Sequence, residues 1–125
     1  MNTAAMKLRL YAPAVLRYGL SLVILWFGVQ QLINNAQWIA YIPDSIVTLT
    51  HVSASTLVTF NGLVEVVLGT LLLFGWQVRW VALLLALHLF DIMYTVGYGE
   101  IGVRDFGLAV ATFCIFMYGD DILAI

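Results

Sequence analysis

Charge is scarce in this sequence: only 10% of its 125 residues are Asp, Glu, Lys or Arg. The 5 basic and 7 acidic residues leave a formal net charge of −2, and no basic cluster marks a nucleic-acid surface. With a single cysteine, Cys114, the chain can form neither an internal disulfide nor a two-cysteine redox pair, so cysteine usage says little about compartment. Internal repeats, low-complexity tracts and dividing linkers are missing, as are metal-ligand spacing, a phosphate-binding glycine loop and a nucleophile–base constellation. A metal site is therefore not expected. What is plentiful is apolar surface. At 63% hydrophobic, the chain has more of it than a soluble core of this size can bury, so most of it should face lipid.

A helix needs roughly 17 to 25 residues to cross about 30 Å of hydrocarbon. Four apolar segments are long enough, at about 13–33, 57–75, 78–97 and 104–122. Lys7 and Arg9 ahead of the first segment resemble the start of a signal peptide. No small-residue cleavage site follows "LVILWFGVQQLINN", and Arg17 interrupts the segment's start, so it reads as a retained span. The link "GWQVRW" is so short that the second and third spans must be antiparallel neighbours. The fold class expected is all-α, a single membrane domain over 1–125 built as an antiparallel four-helix bundle.

Lys7, Arg9 and Arg79, with Arg17 nearby, fall on one side of these spans and Arg104 alone on the other. Because cytoplasmic loops carry the excess of Lys and Arg, both termini are expected to be cytoplasmic. The connection at 34–56 then faces the opposite side. Trp38, Tyr41, Ile42, Ile46 and Leu49 around the Pro43-Asp44 break suggest short helical turns in the interface. A membrane-hugging loop is the simpler reading of this stretch, and a lid over a binding site the sharper one.

Polar and small side chains recur at helical spacing. Arg17, Ser21, Gly28, Gln31 and Asn35 form one stripe on the first span; Asn61, Gly62, Glu65 and Gly69 form another on the second; His88, Asp91 and Thr95 form a third on the third span. Such stripes turn inward and leave Leu, Val, Ile and Phe to lipid. At about 1.5 Å per residue, Glu65 and His88 come near the midplane, Asp91 one turn outward and Arg17 about one and a half turns inward. Arg17, Glu65, His88 and Asp91 are therefore the candidate buried polar cluster. An unpaired charge at that depth costs about 2.5 to 3.5 kcal/mol on insertion scales. Arg17 can neutralise only one of the two carboxylates. The other must be protonated, pair with a protonated His88, contact water or meet a partner outside the chain. The cluster reads either as a coupled titrating site or as glue between helices.

Several stretches resemble the DoxX-like membrane proteins. They are "LRYGLSLVILWFGVQQLINNAQWIAYIP", with an early Arg, a late Gly and then Trp and Pro; "NGLVEVVLGTLLLFGWQVRWVA", with Glu, Gly and an Arg past a short turn; and "VRDFGL". The resemblance touches Arg17, Gly28, Trp38, Pro43, Glu65, Gly69, Arg79, Arg104 and Asp105; His88 and Asp91 are not carried over from it. It implies a four-helix protein of the bacterial or archaeal cytoplasmic membrane, often a small subunit of a larger redox assembly. Some relatives are linked to sulfur-compound oxidation with electron transfer to quinone, and others exchange thiol equivalents through paired cysteines, which this chain lacks.

A quinone pocket needs an apolar slot and a few polar groups that hydrogen-bond the carbonyls and exchange protons. Glu65, His88 and Asp91, with Trp26, Tyr94 and Tyr98 as candidate ring contacts, supply that chemistry, although the aromatics also suit packing and interface anchoring. No covalently bound cofactor is expected. Haem is disfavoured: His88 could face Met93 or Met117, but His51 lies at the wrong depth for a second histidine ligand. With so little extramembrane mass the chain is not expected to be an enzyme alone, and other membrane subunits, with the bilayer itself, are the expected partners. Three classes remain open: a subunit contributing a quinone-adjacent or proton-handling site, a purely structural subunit, and a small proton or ion transporter. The last is weakly supported without inverted repeats or broken helices. Arg104 and Asp105, adjacent on one helix, are expected to find different partners.

Overall fold

The computed structural model describes residues 2–96 and 100–125, with the backbone alone for 96, 100 and 101. Its described residues form six helices and no strand: α1 (Thr3–Ile33), α2 (Asn35–Ile39), α3 (Asp44–Thr50), α4 (Ala54–Phe74), α5 (Val78–Val96) and α6 (Glu100–Tyr118). Three of them, α1, α4 and α5, are long and apolar enough to cross a membrane.

Helix boundaries follow local chemistry. The Asn2 side chain accepts from the Ala5 N–H at 2.7 Å and starts α1, ten residues ahead of the span expected at 13–33. Hydropathy marks only the part of a helix that suits lipid, whereas Ala, Met, Lys and Leu before Pro13 are good helix formers. At 31 residues α1 runs about 46 Å, and it passes through Pro13 without a break. Ser53 accepts from the Thr56 N–H and starts α4, which ends at Gly75 in the left-handed conformation (φ 79°). Gly119 (φ 85°) follows α6 in the same way, so the segment expected to continue to 122 leaves the helix and turns back as a tail.

α1 packs chiefly on α4 and α5 on α6; α4 also meets α5, and α1 meets α6. The α1–α4 contact depends on glycine. A Cβ placed on Gly28 would lie 2.9 Å from Val66 Cγ2 and 3.1 Å from Gly62 O, and one placed on Gly62 would lie 2.9 Å from Gly28 O. Gly69 lies against Ile24 and Leu25, and Arg17 against Leu72 and Leu73, so contact positions rise along α4 as they fall along α1. Small residues admit this close approach in lipid, where van der Waals packing and interhelical hydrogen bonds supply much of the association energy. Ile24, Leu72, Val81 and Leu85 form a buried apolar layer, and Leu22, Phe60, Val67 and Leu87 point outward.

Two polar layers flank that apolar one. In the first, Arg17 Nε donates to Asp121 Oδ2 at 2.7 Å, and Nη1 donates to the carbonyls of Leu72 and Leu73 at 2.8 and 2.7 Å. Arg17 thereby satisfies carbonyls at the end of α4 and ties down the tail. The second layer lies about 10 Å further along α4, near the middle of that helix, and holds Glu65.

Candidate functional site

Glu65 sits on the α4 face that packs against α1, between the glycines of its stripe. Its side chain is only 5% exposed. Gln31, one turn after Gly28 on α1, donates from Nε2 to Glu65 Oε2 at 2.8 Å and to Phe27 O at 3.2 Å. From α5, His88 Nε2 lies 3.6 Å from Glu65 Oε1, an ion-pair distance if the ring is protonated but too long for a hydrogen bond. Among the described residues His88 Nε2 has no hydrogen-bond partner.

α6 completes the layer. The Asp105 side chain, 2% exposed, accepts from Arg104 Nε at 3.1 Å and Nη2 at 2.8 Å, both on Oδ1. Its Oδ2 is buried and has no partner among the described residues. Arg104 lies over the Phe27 ring at 3.9 Å from its centroid and 5.9 Å from that of Trp38. Phe27 and Trp38 meet edge to face at 5.9 Å, and Trp38 Nε1 is likewise buried without a partner among the described residues. Adjacent helical residues do not face each other, yet Arg104 and Asp105 pair. The long guanidinium bends back across its own backbone because two rings give it a place to lie.

Gln31, Glu65, Trp38, Arg104 and Asp105 from these groups line a partly open cavity of about 130 Å³, while His88 and Phe27 stand behind them. Gln31, Asn61, Glu65, Asp91, Thr95, Arg104 and Asp105 line its polar side; Leu57, Val58 and Ile92 line its apolar side; Trp38, Tyr41, Ile42 and Ile46 close it from the 34–56 connection. That connection therefore borders the cavity. A closed cavity of about 150 Å³ can hold one benzene ring, so the enclosed part of this space is of about the size of a single ring.

Of the expected cluster, Glu65 and His88 come together, and Asp91 reaches the cavity from an exposed position on α5. Arg17 does not join them. Its partner Leu72 lies seven residues along α4 from Glu65, about 10 Å away along the helix, and its charge is met by Asp121. The depth count already set Arg17 about one and a half turns from Glu65; what it could not see was the folded-back tail that supplies Asp121. Trp26, 57% exposed, and Tyr94, 87% exposed, face outward and do not line the cavity. Tyr98 lies outside the described residues. The spacing of Asp105, Ala109 and Thr112, all buried, is the signal on α6 that places Asp105 inward.

Helices long and apolar enough to cross a bilayer, together with a carboxyl-rich cavity among them, define a small helical membrane protein with a polar interior. The chain belongs to the DoxX family, whose model matches residues 12–98. The match takes in Arg17, Gln31, Trp38, Glu65, His88 and Asp91 and stops short of Arg104 and Asp105. Neither a curated protein nor a solved structure matches the chain.

Proposed function

We propose that this chain is a small integral-membrane subunit of a larger assembly, whose cavity takes the polar head of a small ligand and exchanges protons with it through Glu65 and His88. The observation that carries this reading is the cavity itself, lined by Glu65 with His88 behind it, where buried polar atoms of Asp105 and Trp38 have no partner among the described residues. Helix glue satisfies its own hydrogen bonds, whereas a site that must exchange protons keeps acceptors and donors in reserve. In this reading α6 is a fourth span, the bundle is antiparallel, and both termini are cytoplasmic beside Lys7, Arg9 and Arg79. The cavity then opens toward the other side. The apolar layer and the Arg17–Asp121 seal beneath it support one-sided access over a through-path for ions.

A quinone head is a second reading, favoured by the ring-sized space and by Trp38 Nε1–H, which suits a carbonyl acceptor. The test is purification of the assembly from native membranes in mild detergent, wild type beside Glu65→Gln. Co-purifying subunits in both, with activity lost in the variant, support a proton-handling subunit. Full activity in the variant removes the site and leaves an accessory role, and extractable quinone identifies the second reading.

A further inference from the structure

We infer that the cavity binds a small protonated amine, held by Asp105 and Glu65 beneath Trp38 and Tyr41; this rests on the reading of the cavity as a ligand site and names its ligand class. The first argument is charge. Three carboxyl groups, Glu65, Asp91 and Asp105, line the cavity, and the only fixed cation among its described lining residues is Arg104. Among the described residues that guanidinium hydrogen-bonds Asp105 through Oδ1 and not Oδ2. The second is an unused acceptor. Asp105 Oδ2 belongs to a side chain 2% exposed, lines the cavity through its residue, and has no partner among the described residues. Such an oxygen is costly to bury and calls for a donor, most effectively a charged one.

The third is that the site already holds a cation of its own. Arg104 lies between a carboxylate and the face of Phe27, with Trp38 next to it, the arrangement in which ring quadrupole and carboxylate attract the same positive group. A ligand ammonium on Asp105 Oδ2 would repeat that pairing one oxygen away. Asn61 and Thr95 offer neutral polar contacts, and the ring-sized volume suits a short alkyl or single-ring amine.

The experiment uses the full chain in detergent, titrated with benzylammonium chloride and, separately, with benzyl alcohol at matched ionic strength. Binding is read from the thermal midpoint and from tryptophan fluorescence. Benzylammonium is expected to bind saturably and about tenfold or more tighter than the alcohol. Asp105→Asn is expected to remove most of that preference, and Asp91→Asn, at an exposed position that should fold normally, to weaken it a few-fold. Equal binding of amine and alcohol overturns the amine class while the ligand cavity stands. Preference for a tailless hydroquinone over the amine overturns it in favour of the quinone reading. No saturable binding of any of the three overturns both the amine and the ligand cavity.

Discussion

Arg17 and Asp121 are 104 residues apart in sequence and 2.7 Å apart in the structure, Nε to Oδ2, with the Arg17 side chain fully buried and that of Asp121 nearly so. Removing one partner of a buried ion pair leaves the other uncompensated, at a typical cost of about 3–5 kcal/mol. Arg17→Met also frees the Leu72 and Leu73 carbonyls. It should therefore lower the thermal midpoint in detergent more than Asp121→Asn does, and the double variant should lose less than the sum of the two. Additive losses would show that the pair is not coupled.

Acid should loosen the same seal. Burial pushes the Asp121 carboxyl up, but the hydrogen bond from Arg17, the Leu123 N–H and the Arg17 charge together outweigh it and hold its pKa below the ordinary carboxylate value. A group depressed on folding contributes stability above its unfolded pKa and loses it as pH falls through the folded one. Wild-type stability should thus decline on acidification below the usual carboxylate range, and Asp121→Asn should flatten that limb of a melting-against-pH series. Parallel curves for the two proteins would contradict it.

Glycines separate close approach from mere presence. Gly28→Ala and Gly62→Ala place a methyl against Val66 or against backbone oxygen at 2.9 Å, where nothing can swing aside, and each should cost about 1–3 kcal/mol. Gly19 and Gly107 have nothing within 4 Å of such a methyl. Alanine there should be neutral or stabilise by up to about 1 kcal/mol through helix propensity. Comparing melting temperatures of the four variants in one detergent checks both directions.

Gln31 is the only side chain that hydrogen-bonds Glu65 among the described residues. Gln31→Leu keeps the volume near constant and strands Glu65 Oε2, so about 1–3 kcal/mol of stability should go. Adding Glu65→Leu should recover part of it, since two apolar groups of similar shape can replace a buried polar pair almost neutrally. A double variant no more stable than Gln31→Leu would count against this account.

The membrane helices were legible because apolar length and helical spacing are local properties. So was the inward stripe of α4, and its pairing with the Gly28–Gln31 stripe of α1 is what brings Glu65 to Gln31. That Arg17 is neutralised apart from Glu65 was not legible, because its partner comes from a tail that no local pattern connects to it. Asp105 was visible at the start of α6, but its role needed the course of the Arg104 side chain over Phe27, which depends on helix packing rather than spacing. Trp26 and Tyr94 show the opposite error. Aromatic residues near a polar stripe look like contacts until the rotation of each helix is known, and both turn outward.

The distance between Arg17 and Asp121 along the chain also sets an order of events during biogenesis. At about 5–20 residues per second, the ribosome delivers the counter-ion roughly 5 to 20 s after the arginine. The carbonyls of Leu72 and Leu73 arrive about midway, 55 and 56 residues on, and offer a provisional hold. Until Asp121 emerges, the newborn protein carries an unneutralised guanidinium among its helices, and this lock closes only after α6 has been made.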